Sequence, residues 1–228
     1  MEVYKRQFVN VSVHGYNVYP VQHKERFVNS RKFLLSIVFL LIQSCQYNND
    51  ATSKIGLRKH QNQRAAMYNT QLGLAYLAQG DRPRAKSKLL MALDEDPQSP
   101  HVNAAMAYFM EKTGAMSEAR LYYRKAVRIA PRNGAQLNNY GAFLCRNGQY
   151  ALAEAYFLKA VKDVEYEHTA GAYENAGLCA VAIPDYAKAK KYFTRALEQD
   201  PSRQESLYQL VNIEMKLHPI QRHHRSSK

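Results

Sequence analysis

Catalytic signatures are what this chain most conspicuously lacks. HExxH, CxxC, GxSxG and phosphate-loop patterns are all missing, and the eight histidines are scattered rather than gathered at ligand spacing. Those absences argue against metal, acyl-transfer and nucleotide chemistry. They leave no ground to expect an enzyme, a cofactor, a metal or a small-molecule substrate. Tryptophan is absent while tyrosine is abundant at 17, so tyrosine is expected to fill the large packing positions. No apolar run is long enough to cross a bilayer. The longest, FLLSIVFLLI at 33–42, would span about 15 Å as a helix, half of a hydrocarbon core. What remains is ordinary for a folded chain: 228 residues, 46% apolar and 22% charged, which excludes wholesale disorder.

Charge of one sign is also missing from the body of the chain. The net charge is +13, but residues 1–44 hold six Lys/Arg against two Glu, and 216–228 hold four against none. Through 45–215 acids are interleaved with bases, so nucleic-acid binding is not expected. The 33–42 run is preceded by Arg31 and Lys32 and followed by Ser44 and Cys45. A basic flank, a short apolar core and a small residue before Cys resemble a bacterial lipoprotein signal. In that reading residues 24–44 are the signal, Cys45 carries acyl chains, and initiation near Val28 would leave residues 1–23 as an unassigned extension. Gln46 after the cysteine points, by the same resemblance, to the outer membrane. Acylation would anchor the mature protein stably. The other reading of 33–42 is a buried hydrophobic stretch with an incidental cysteine.

Glycine and proline are modest in number, and several are spaced rather than scattered. Gly80, Gly114 and Gly148 lie 34 apart, as do Ala85, Ala119 and Ala153, Ala92, Ala126 and Ala160, and Pro97 and Pro131. A fourth copy follows a two-residue insertion at Ala189, Ala196 and Pro201. Between each alanine pair sits a large residue: Leu89, Tyr123, Phe157 or Phe193. Ahead of each turn sits a small one: Gly73, Ala107, Gly141 or Gly177. These are tetratricopeptide positions. The small residue lets two helices approach, glycine at positive φ ends the first helix, and proline closes the second. An all-α tetratricopeptide superhelix is therefore expected over 63–217, after a flexible linker at 45–62. Its repeats are 66–99, 100–133, 134–167 and 170–203, and the fourth turn is Ile183-Pro184-Asp185. Residues 204–217 have the spacing of another first helix, with Leu207, Leu210, Val211 and Glu214 in its slots, so a lone fifth helix follows the four hairpins. Residues 218–228 are expected to be a disordered basic tail.

Cys145 and Cys179 fall on first helices of consecutive repeats at similar depth. In an exported protein that placement predicts a disulfide joining repeats three and four; the alternative is two small apolar residues on packed faces. Glu118 and Glu154, on consecutive second helices, suggest a solvated outer face. In such arrays the concave side is built mainly from first helices. Here its expected lining is Leu74, Leu77, His101, Tyr108, Asn138, Arg146, Glu174, Leu178 and Tyr208. That mixture suits an extended peptide or a helix laid in a groove. The paired Lys and Asn of a carboxylate clamp are not present.

Two stretches carry a closer likeness: Asn138-Asn139-Tyr140-Gly141-Ala142-Phe143-Leu144-Cys145 and Tyr173-Glu174-Asn175-Ala176-Gly177-Leu178-Cys179. Together with the signal and the repeats, the chain resembles the type IV pilus biogenesis/stability family, the PilF/PilW-type lipoproteins. The resemblance implies a pilotin-like scaffold on the periplasmic side of the outer membrane, lipid-anchored through Cys45. Its implied partner is the pilus secretin, whose localisation and oligomerisation it would promote. The alternatives are a tetratricopeptide lipoprotein serving envelope assembly generally, or an intracellular adaptor.

Overall fold

A computed structural model describes residues 49–217. The signal-like segment, Cys45 and the basic tail lie outside the described residues. Among those described, every regular element is a helix: α1 (Asn49–Ala78), α2 (Arg82–Glu95), α3 (Pro100–Lys112), α4 (Met116–Ile129), α5 (Gly134–Arg146), α6 (Tyr150–Ala160), α7 (Thr169–Ala182), α8 (Tyr186–Gln199) and α9 (Gln204–Leu217). Successive helices pair as four antiparallel hairpins, and α9 stands alone at the end, packed on α8 and α7. This is the expected architecture.

Each hairpin is closed by one kind of contact. The small residue of the first helix faces the large residue of the second so closely that nothing beyond a methyl could intervene. A Cβ placed on Gly73, Gly141 or Gly177 would come within 2.7, 2.8 and 2.6 Å of Leu89, Phe157 and Phe193 respectively. Those three large side chains are fully buried, and the alanines that flank them on the second helices, Ala85 and Ala92 through Ala189 and Ala196, are buried as well. A methyl is all that fits where neighbouring hairpins touch.

The turns show why the glycines recur. Gly80, Gly114 and Gly148 have φ of 81°, 89° and 74°, in the left-handed region. Each closes its helix with two backbone bonds: its own N–H to the residue three back, and the next N–H to the residue five back. For Gly148 these are Gly148 N–H to the Cys145 carbonyl and Gln149 N–H to that of Leu144, at 3.0 and 2.9 Å. The fourth turn keeps only the second bond, Asp185 N–H to the Ala180 carbonyl at 3.0 Å. Pro184 occupies the glycine position, has no N–H to give, and is held at φ 24° against the preference of its ring.

Two expectations need correction. Helix α1 begins at Asn49, so the second part of the 45–62 stretch is helical rather than an unstructured linker. Leu57 through Arg64 stay exposed, yet they contain no proline and continue a helix already packed from Ala66 onward. In α9 the buried face is Ser206, Gln209 and Ile213, with Leu210 beside it; Leu207 and Val211 are 56% and 52% exposed. They lie on the side that meets a second helix in the other hairpins, and no described helix covers them.

The structure joins Cys145 of α5 to Cys179 of α7 as a disulfide, with Cα atoms 5.8 Å apart, within the ordinary range. Both cysteines are buried in the largest core cluster, with Phe143, Phe157 and Tyr192.

Two outcomes test this architecture. Replacing Pro184 with glycine restores the missing turn bond and relieves the backbone, so the melting temperature of Pro184→Gly should rise, by about 1–2 kcal/mol of stability. Replacing both cysteines with alanine should cost about 3–4 kcal/mol in denaturant unfolding, from the loop closed across 34 residues. Free thiols at these positions in protein produced in the periplasm would refute the bridge.

Candidate functional site

Which side of the array is inner follows from the packing. The backbones of consecutive first helices approach one another (α1 with α3, α3 with α5, α5 with α7, α7 with α9), whereas those of consecutive second helices stay apart and α6 meets α8 through side chains. The first helices therefore line the inside of the curve, and the second helices face outward.

Polar side chains on that inner side are used mainly to bridge repeats. Arg146 donates from Nε and Nη2 to the two carboxylate oxygens of Glu111, at 2.6 and 2.9 Å. The phenol of Tyr123 donates to the same carboxylate at 3.1 Å. Burial raises the Tyr123 pKa well above its usual value, and the Glu111 charge adds to the rise. Asn175 donates to the Asn138 side-chain oxygen at 3.0 Å. Arg203 and Ser206 donate to the two oxygens of Glu174, at 2.6 and 2.8 Å. His101 Nδ1 stands 3.3 Å from Gln136 Nε2, and burial of its ring lowers the His101 pKa. Around the insertion, Tyr166 lies directly on Gly134, and burial pushes its pKa up to about 12.

The residues expected to line the groove thus divide. Asn138, Arg146 and Glu174 hold neighbouring repeats together. Leu178 is core. Leu74 and Leu77 are half-buried against Leu89, Met106 and Phe109. His101, Tyr108 and Tyr208 remain on the surface or partly so, Tyr108 with Lys112 above its ring and Tyr208 at 59% exposure. The partners that sequence reasoning missed, Glu111, Gln136, Asn175, Arg203 and Ser206, carry a weak signal. Several sit slightly more than one repeat from a complementary polar residue: 111 and 146, 101 and 136, 138 and 175.

Glu154 also departs from expectation. It is half-buried, accepting from Lys188 at 3.0 Å and from the hydroxyl of Tyr192, so it links α6 to α8 rather than facing solvent. Burial raises the Tyr192 pKa, helped by that bond. Among the described residues no group of His, Cys, Asp or Glu is arranged to hold a metal, and no helix is long and apolar enough to cross a membrane.

An inner face with exposed aromatic groups, backed by rigid bridges, is a surface for holding a chain. Comparison with known proteins gives it a context. The tetratricopeptide-repeat pattern matches residues 70–134 and 135–202. The structure from a functional characterisation of Pseudomonas aeruginosa PilF is 32% identical, with a TM-score of 0.65 over 69% of this chain and 71% of that one. The chain belongs to the PilF/PilW family of tetratricopeptide-repeat proteins. The crystal structure of PilW, a widely conserved type IV pilus biogenesis factor, is 28% identical with a TM-score of 0.62, covering 66% of this chain and 69% of that one. The Pseudomonas aeruginosa type IV pilus assembly protein PilF is 38% identical over 127 residues, which is 56% of this chain. The match spans half the length of that protein.

The Glu111–Arg146 bridge gives a direct test. Arg146→Ala strands a carboxylate whose side chain is only 9% exposed, and should destabilise the fold by about 3 kcal/mol. Adding Glu111→Gln should recover part of that loss, and a double-mutant cycle by urea unfolding would measure the coupling.

Proposed function

We propose that this chain is a scaffold of type IV pilus biogenesis that binds the outer-membrane secretin and promotes its localisation and oligomerisation. It acts from the periplasmic side of the outer membrane, held there by acyl chains on Cys45. The observation that carries the proposal is the likeness to PilF, in sequence and in the array itself. The inner face supplies the means. Tyr108 and Tyr208 offer broad contact area at low conformational cost, and His101 offers a ring nitrogen near the same face. The bridges behind them keep the groove shaped before the partner arrives, which lowers the ordering cost of binding.

The mechanism is tethering at two points. One end is fixed to the membrane while the groove holds the partner, so the partner's concentration at the bilayer rises without any new contact. No proton transfer or bond exchange is required.

Deleting the gene should reduce secretin multimers at the outer membrane, measured in unheated gel samples. Labelling with a fatty-acid analogue should mark the wild-type chain and leave Cys45→Ser unmarked. A photo-crosslinker at Tyr208 or Tyr108 should capture secretin. Normal multimers and normal pili in the deletion strain would sink the proposal. Recovery of other envelope machinery without secretin would redirect it to envelope assembly in general.

A further inference from the structure

The outer side of the array carries a feature that the groove does not explain. Between Ala119 and Lys162 the chain holds eight Lys/Arg and a single acid, Glu154, with exposed Glu118 just before them in the first turn of α4. Glu154 is taken by Lys188 and Tyr192. Of the eight cations, Arg146 is bound to Glu111, and Arg120 donates to Gln149 and lies over Phe143. The other six are Arg124, Lys125, Arg128, Arg132, Lys159 and Lys162. None of them forms an ion pair among the described residues, and all but half-buried Lys125 are exposed.

They form one surface. Arg124, Lys125 and Arg128 follow one face of α4, and Lys159 ends α6 on the same outward side. Lys159 lies over the ring of Tyr156, 5.3 Å from its centre, and Arg124 is near enough for its charge to act on that same phenol. Arg132, Lys159 and Lys162 meet around a shallow cavity of about 380 Å³ whose other walls include Pro131, Leu137 and Val164. The acid in that wall, Asp163, accepts backbone N–H groups from Gly134 and Glu165, at 2.6 and 3.1 Å. Glu165 and Glu167 follow in the same loop.

Apolar side chains are set among these charges. Leu121 lies three and seven residues before Arg124 and Arg128, and is 64% exposed. Leu152 lies seven before Lys159. Val164, in the loop of the insertion, is 94% exposed, which no packing requirement explains. Bases with long apolar stems, interleaved with exposed Leu and Val, are the composition of an interfacial surface.

We propose that this outward face, from α4 to the loop after α6, docks on a bilayer containing anionic phospholipid, with the basic side chains among the headgroups and Leu121 and Val164 at the acyl boundary. A negative surface spread over many headgroups complements cations spread over two helices and a loop, where an acidic peptide would call for a converging site. The inference stands apart from acylation at Cys45. Its consequence is orientation: the outer side rests on the membrane, and the inner groove opens away from it.

The test uses the full chain in a Cys45→Ser background, with one fluorophore on Leu121→Cys or, for the inner face, on Tyr108→Cys. Vesicles carry headgroup-quenching lipid in phosphatidylcholine alone or mixed with phosphatidylglycerol. Because the readout is which face is quenched, it holds even if residues 33–42 also insert. With phosphatidylglycerol, quenching at 121 should exceed that at 108 by at least about threefold, and should fall as salt rises. Arg124→Glu/Arg128→Glu/Lys162→Glu should abolish the difference. Arg124→Gln/Arg128→Gln/Lys162→Gln should reduce it, which guards against a misfolded charge reversal. Arg58→Glu/Lys59→Glu/Arg64→Glu, the same change of net charge on α1, should leave it intact. Equal quenching at the two positions, indifference to phosphatidylglycerol, or equal loss in the α1 variant would overturn the proposal. So would a patch variant that lost affinity for an acidic polypeptide or for DNA while its vesicle contact was unchanged.

Discussion

The array depends on how closely its paired helices approach at Gly73, Ala107, Gly141 and Gly177. With no side chain beyond a methyl at that point, the large residue opposite can lie flat against the first helix, and the hairpin closes on a buried Leu89, Tyr123, Phe157 or Phe193. Helix directions are then set by backbone contact rather than by adjustable side chains. The buried alanines on the second helices repeat the same constraint between one hairpin and the next. Because each unit touches only its neighbours, the curvature of the whole is the sum of these local approaches.

On the inner side that geometry brings polar groups of adjacent first helices within bonding distance. Glu111 with Arg146, Asn138 with Asn175, and Glu174 with Arg203 and Ser206 tie repeat to repeat, and the Cys145–Cys179 bond adds a covalent tie between α5 and α7. These groups hold the groove's shape and are correspondingly unavailable to a partner. What is left for recognition is more aromatic than charged. A cluster of unpaired cations lies on the opposite side, on α4, α6 and the following loop. The chain therefore sets aromatic groups on its inner side against a basic patch on its outer one, a division suited to a scaffold that touches two different things at once.

Much of the fold was legible in the sequence, because its constraints are local and recur. A positive-φ turn selects glycine, a close helix approach selects Gly or Ala, and a helix end selects proline, each at the same interval. Even the exception at Pro184 was visible as a broken period, though only the backbone shows that it forfeits one of two turn bonds. The candidate site was less legible. Asn138, Arg146 and Glu174 sit at groove positions by count, but the structure binds them to partners in neighbouring repeats, which cannot be found by counting within one.

The sequence by itself determined the helical hairpins, their number among the described residues and the large residue that faces each of Gly73, Ala107, Gly141 and Gly177, since each follows from backbone sterics acting within about thirty residues. Tertiary structure alone decided which inner-face polar groups are bound to each other, which face of α9 is covered, and that the unpaired bases of two separate helices share one outward surface. Those outcomes depend on the angle at which successive hairpins stack, and that angle is set by many contacts at once rather than by any single position in the chain.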